Sequence, residues 1–250
     1  MNSVVPALVV LALLGGCTAD RARGGSSPAP SVPTPTAPTA TTAAKGPASA
    51  NAPRRYVALG DSFTIGTGSS AAASFPARLA SRWGTTELLN VAVNGYRARD
   101  VIDEELPKAL AFGADFATLA VGANDIVRGD GNVDEYRREV RLILAALGKR
   151  IPKCRIVALP QPRWSTSDVG RSFGDVATLD AKIRAFNAAL REEALAFGAR
   201  YIDLSELMNR QADKKMFASD GLHPSAAAYG EWAGAIGEAL AREPLKAECP

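Results

Sequence analysis

The chain has 250 residues, 47% hydrophobic and 22% charged, with a formal net charge of +3, three Cys and one His. That length allows one domain or two small ones, and that apolar share excludes a wholly disordered or fibrous chain. So few His and Cys exclude most zinc sites, because a closed structural site takes four such ligands, and so small a charge makes no case for a nucleic-acid partner, which needs a clustered basic footprint.

The chain opens on an apolar run. Val4 to Leu14 is broken only by Pro6, and Gly15, Gly16 and Cys17 follow. A run this short suits an export signal, since a membrane-spanning helix needs about 20 residues. The preceding Met1-Asn2-Ser3 carries no Lys or Arg. Leu14-Gly15-Gly16-Cys17 resembles the lipobox of bacterial lipoproteins. The resemblance implies cleavage before Cys17, with 1–16 as signal peptide, and lipidation of the Cys17 sulfur. The protein would then be exported and lipid-anchored to the bacterial cell envelope, attached to the membrane through Cys17. An ordinary secretory signal beside a chance Cys is the plainer alternative.

Residues 17–53 form a second zone. Between Thr18 and Pro53 stand seven of the sixteen Pro, with Ala, Thr, Ser and Gly and no aromatic residue. Such a segment buries too little apolar surface to offset its ordering entropy and reads as a disordered tether. Arg21, Arg23 and Lys45 against Asp20 give these first zones +2, leaving the remainder at +1.

From 54 to 250 the chain reads as one folded domain. Short apolar runs lie at 56–59, 88–93, 116–121, 155–159 and 201–204, most closed by Gly or Pro, as suits strands buried on both faces. Helical spacing appears between them at 133–147 and 179–197 (Ile183, Phe186, Leu190, Leu195), and again at 225–240, with Pro224 placed at the first turn. Five β-α units predict a parallel sheet with helices on both faces, and such sheets carry their sites at the carboxyl ends of the strands.

Those ends hold reactive residue types. The first strand is followed by Gly60-Asp61-Ser62, the second by Asn94-Gly95, the third by Gly122-Ala123-Asn124-Asp125. A serine hydroxyl there needs a base to act as nucleophile. A backbone N–H and an Asn amide are the donors of an oxyanion hole. The only His, His223, stands three residues after Asp220, and an Asp so placed can fix the imidazole tautomer. Each block alone reads more plainly as a turn or a helix cap.

Together the four blocks resemble those of the GDSL-type serine esterases, the SGNH hydrolases, in the same order. The resemblance spans Gly60 to Pro224. It implies a three-layer α/β/α sandwich around a flavodoxin-like five-stranded parallel sheet. It implies Ser62 as nucleophile, His223 as general base and acid, and Asp220 as its orienting acid. The oxyanion donors would be the Ser62 and Gly95 N–H groups and the Asn124 side chain. No metal and no organic cofactor is implied. Asp61 and Asp125 read as structural supports.

Competing signals are weaker. Gly170-Arg171-Ser172-Phe173-Gly174 matches the G-x-S-x-G elbow, but a polar loop precedes it where a strand is required. The Gly-rich stretch from Gly60 to Gly68 lacks the Lys-Ser/Thr of a phosphate loop. A non-catalytic, surface-tethered glycan- or lipid-binding module is the alternative function, though binding needs no base. The expected substrate is a carboxylic ester: a lipid, aryl or acetyl ester, or a thioester, carried on a small molecule or an acylated lipid or glycan. Tyr96, Ile126 and Trp164 are candidate pocket walls, Phe173 reads rather as ordinary loop packing, and Arg97 and Arg99 could meet an anionic group. With Cys17 lipidated, Cys154 and Cys249 remain as an even pair in an oxidising compartment, and a disulfide between them is expected. A lone domain of this size suits a monomer.

Overall fold

The computed structural model describes residues 53–85 and 87–245. The signal, the tether, Cys17 and Cys249 therefore lie outside the described residues. The elements alternate as the apolar runs predict. β1 (Arg55–Gly60) leads to α1 (Ser62–Ile65) and α2 (Phe75–Trp83). β2 (Glu87–Asn90) leads to α3 (Ala98–Asp100), a π-helical turn at Val101–Glu105, and α4 (Leu106–Phe112). β3 (Phe116–Ala120) leads to α5 (Ala123–Val127) and α6 (Val133–Leu147). β4 (Ile156–Ala158) leads to α7 (Val176–Phe197), and β5 (Arg200–Tyr201) to α8 (Ser205–Asp213) and α9 (Ala226–Arg242).

All five strands run parallel, in the order β2-β1-β3-β4-β5. The central strands β1, β3 and β4 are buried, which is why their sequences are continuous apolar runs rather than alternating ones. The chain leaves β1 for the edge strand β2 and then crosses back to β3. The order therefore reverses between β1 and β3, and the two connections open a crevice at that switch point. α2 packs on α9, while α6 packs on α4 and α7. Tyr56, Phe116 and Trp83 meet edge to face or tilted in the core, with ring centroids 5.1 to 6.4 Å apart. Tyr56 and Phe116 are fully buried, each contributing roughly 1.5–3 kcal/mol, and Trp83 is partly buried against them.

Three local differences from the sequence reading have physical causes. β5 stops at Tyr201 because Asp203 Oδ1 accepts from Ser205 N at 2.9 Å and turns the chain into α8. α9 starts after Ser225, whose Oγ caps Ala228 N at 3.3 Å; Pro224 instead forms a β-bridge with Phe217. On α7, Leu195 is 52% exposed, because Ala194 and Leu190 occupy the inner face there.

Cys154, just before β4, is disulfide-bonded. Its partner lies outside the described residues.

Candidate active site

Ser62 is the first residue of α1, directly beyond β1. The turn between them demands Gly60. Its φ is +146°, and an added Cβ would lie 2.0 Å from the Ala120 carbonyl oxygen of the neighbouring strand. Asp61 caps α1, its Oδ1 accepting from Phe63 N at 3.0 Å. Ser62 is thereby fixed at the β1 side of the switch point and keeps 9% exposure.

β2 ends in a turn closed by Tyr96 N donating to Val93 O at 3.3 Å. Gly95 takes its third position with φ +82°, a conformation that favours glycine. β3 ends at Gly122, φ +134°, which starts α5 and places Asn124. Asn124 Nδ2 donates to Tyr96 O at 3.0 Å, joining the two strand ends across the crevice. Its second amide hydrogen remains available for a ligand.

His223 is held by a tight loop. Asp220 Oδ1 accepts from the N–H groups of Leu222 and His223, each at 3.0 Å. Asp220 Oδ2 meets His223 Nδ1 at 2.8 Å. Partial burial pushes the Asp220 carboxyl up, but those two backbone donors and the imidazole outweigh it and hold it below the usual carboxylate value. An ionised Asp220 makes Nδ1 the protonated nitrogen and leaves Nε2 as the acceptor.

Ser62, Asn124 and His223 line one cavity of about 50 Å³. Its apolar walls are Phe63, Val127, Trp164, Phe173 and Leu222. Trp164 is buried and anchored by Nε1 donating to Gln161 Oε1 at 3.0 Å, with Phe173 edge-on at 6.2 Å. Of the walls expected from sequence, Trp164 stands there, and Phe173, read as loop packing, lines the cavity as well. Ile126 points into the core, and Tyr96 contributes its carbonyl to Asn124 rather than a wall. Phe63, Val127 and Leu222 were not singled out, although each neighbours a site residue: one after Ser62, one before His223, one three positions beyond Asn124 on α5. Ser172 lies in a 3₁₀ turn, its Oγ donating to Val169 O at 2.6 Å. A larger, polar cleft of about 430 Å³ lies on the other face of α5 and holds none of the three. Arg97 and Arg99 line it, already paired with Asp100 and with Glu139 and Asp103. Among the described residues no cluster of His, Cys, Asp and Glu could hold a metal ion.

Behind the site lie Asp61 and Asp125, which read from sequence as structural supports, and Glu105, which the sequence does not single out. Burial pushes Asp61 up to about 7 and Asp125 up to about 7. Glu105, with no exposure, is pushed to about 9 by burial, against the pull of Gly60 N donating to its Oε2 at 2.9 Å. Glu105 Oε1 and Asp61 Oδ2 are buried with no hydrogen-bond partner. At neutral pH the folded chain thus keeps the Glu105 proton that the unfolded chain has lost. The native state binds more protons between the ordinary glutamate value and about 9, so stability falls as pH rises through that window. One such group contributes a slope of up to about 1.4 kcal/mol per pH unit. Glu105→Gln keeps the acceptor for Gly60 N and removes the titration. Its urea midpoint should therefore decline less than wild type from pH 5 to 9; identical declines would contradict the burial argument.

The five-stranded parallel sheet in this order, flanked by helices, is the α/β fold of the GDSL/SGNH hydrolases. Solved structures share it. A member of the lipolytic G-D-S-L family from Veillonella parvula superposes with TM-score 0.63 at 16% identity, over 75% of this chain and 98% of that one. A lipase/acylhydrolase from Enterococcus faecalis gives 0.61 at 21%, over 78% and 100%. An acetylxylan esterase from Geobacillus stearothermophilus, in catalytic-mutant form, gives 0.60 at 15%, over 77% and 95%. The model of the GDSL-like Lipase/Acylhydrolase family matches residues 58–230, more than half of the sequence, and the chain belongs to that family. No curated protein matches the sequence.

Proposed function

We propose that the chain is a serine esterase that cleaves carboxylic esters of short acyl groups through an acyl-enzyme on Ser62. The observation that carries this reading is the shared cavity: Ser62, Asn124 and His223 face one space, with Asp220 2.8 Å behind the imidazole. His223 Nε2 takes the Ser62 proton as Oγ attacks the carbonyl carbon. The oxyanion is met by the Ser62 and Gly95 N–H groups and the Asn124 amide. His223 then gives the proton to the departing alcohol, and water activated by the same nitrogen releases the acid. Every proton is carried by His223, so no other base is needed.

The cavity supports the choice of acyl group. At about 50 Å³ it has room for a few water molecules, each needing roughly 10–15 Å³ of such space. Its walls are aromatic and aliphatic, which suits an alkyl chain and not a charged one. An acyl group of about two to four carbons fills it. Similarity to an acetylxylan esterase is compatible with that size.

A p-nitrophenyl series from acetate to octanoate tests this. kcat/KM should peak at the short esters and fall about tenfold or more by octanoate, since each methylene that finds no pocket forfeits its contact. A steady rise to octanoate would overturn the short-chain reading. Binding of esters without any hydrolysis would favour a binding module instead.

The envelope location belongs to the same proposal and rests on Gly15-Gly16-Cys17. A Cys17→Ser chain should leave the membrane fraction on cell fractionation. Its retention there would remove lipidation as the anchor.

A further inference from the structure

We infer that Arg128 is a positioning residue for the oxyanion site, tying the Gly95 turn to α5 so that the Gly95 N–H and the Asn124 amide converge. The inference rests on the proposed acylation of Ser62.

The two donors come from different strands. Gly95 belongs to the turn after the edge strand β2, and Asn124 to the one-turn helix after β3. An oxyanion hole works only if its donors are aimed before the charge develops. A turn on an edge strand has no sheet neighbour on its outer side to aim it, and side chains do the work here. Asn124 Nδ2 reaches Tyr96 O, and Thr67 Oγ1 hydrogen-bonds Asn94 Oδ1. Arg128 makes the third tie: its Nη1 donates to Gly95 O at 2.7 Å.

Arg128 also reaches the other donor. It follows α5, and its backbone N–H donates to Asn124 O at 2.8 Å. One residue therefore bonds the backbone of both oxyanion donors. Among the described residues its guanidinium makes no other hydrogen bond. Arg97 and Arg99 of the same polar cleft are held in ion pairs, whereas among the described residues Arg128 has no carboxylate at ion-pair distance. A charged donor on a carbonyl at 2.7 Å is a strong tie of its kind. An added Cβ at 95 would stand 2.5 Å from Arg128 Nη1 and push the guanidinium off Gly95 O, in addition to the strain of φ +82°.

The role has a kinetic signature. A residue that aims the donors acts on the transition state, so its loss lowers kcat and leaves KM in place. A residue that bound an anionic part of the substrate would raise KM instead. Arg128 is exposed, so its replacement leaves the core untouched.

The experiment measures kcat, KM and thermal midpoint on p-nitrophenyl acetate for wild type, Arg128→Met, Arg128→Lys, Arg128→Ala and Ser62→Ala. Arg128→Met keeps the aliphatic stem and removes the donor. It should lose about tenfold or more in kcat, with KM within about twofold and an unchanged midpoint. Arg128→Lys should fall between Met and wild type. Millimolar guanidinium should restore part of the Arg128→Ala rate, where equal sodium chloride does not. Wild-type kcat in Arg128→Met, or a loss carried by KM, would overturn the inference. So would a loss that guanidinium leaves unrepaired. Activity surviving in Ser62→Ala would instead overturn the esterase reading on which it rests, so the two failures are told apart.

Discussion

Ser62→Ala is expected to lower kcat for p-nitrophenyl acetate by about four to six orders of magnitude, and His223→Ala by nearly as much. In the proposed mechanism the two residues act as one unit. Without the hydroxyl there is nothing to acylate, and without the imidazole there is nothing to take the proton, so the double variant should be hardly worse than either single one. Neither change disturbs the fold. Ser62 gives up one hydroxyl at the rim of a cavity, and α1 retains its cap on Asp61. Thermal midpoints should stay close to wild type, which separates loss of chemistry from loss of structure. Ser172→Ala should keep full activity, because its hydroxyl is spent on Val169 O in an outlying turn. Turnover in Ser62→Ala comparable with wild type would contradict the mechanism.

Asp220→Asn should be the most damaging conservative change at the site. The reason lies in how the carboxylate is divided. One oxygen accepts from Leu222 N and His223 N; the other faces His223 Nδ1. An Asn side chain can keep both backbone donors only by turning its carbonyl oxygen toward them. Its NH₂ then faces Nδ1 and donates to it. The imidazole is forced into the tautomer whose proton sits on Nε2, the nitrogen that must accept from Ser62. A wrong tautomer of this kind costs about 10⁴ in kcat in serine hydrolases with this arrangement. Asp220→Ala leaves the ring free to choose, so it should be no worse than Asp220→Asn and should recover partly at higher pH. Equal rates for Asp220→Asn and wild type would mean that the carboxylate does not set the tautomer.

The fold and the placement of the candidate site residues were legible for the same reason. A parallel strand buried on both faces writes itself as a short apolar run, and the fold's chemistry sits at the end of that run. Ser62, Gly95 and Asn124 follow β1, β2 and β3 directly, and a single His admits one candidate for the base. The order of the strands in the sheet, by contrast, came through the resemblance, since five similar runs do not state which neighbours which.

What stayed hidden depends on partners far along the chain. Nothing in the run Asp103-Glu104-Glu105 sets Glu105 apart from its two neighbours. One π-helical turn swings Glu105 inward to Gly60 N, 45 residues away, and makes it a buried acid. Arg128 was not singled out in the sequence either; the carbonyl it bonds belongs to Gly95, 33 residues earlier. Ile126 was placed on the pocket by its nearness to Asn124. The turn of α5 sends it to the core and brings Val127 round instead. Sequence adjacency gave the right helix and the wrong face.

The most direct test of the Ser62 mechanism is covalent. The full chain is treated with a serine-reactive alkyl phosphonate fluoride, digested and mapped by mass. One equivalent of adduct on the peptide that contains Ser62, and none in Ser62→Ala, is the expected result. An adduct on another serine, or continued ester hydrolysis by unmodified and Ser62→Ala protein alike, would contradict it.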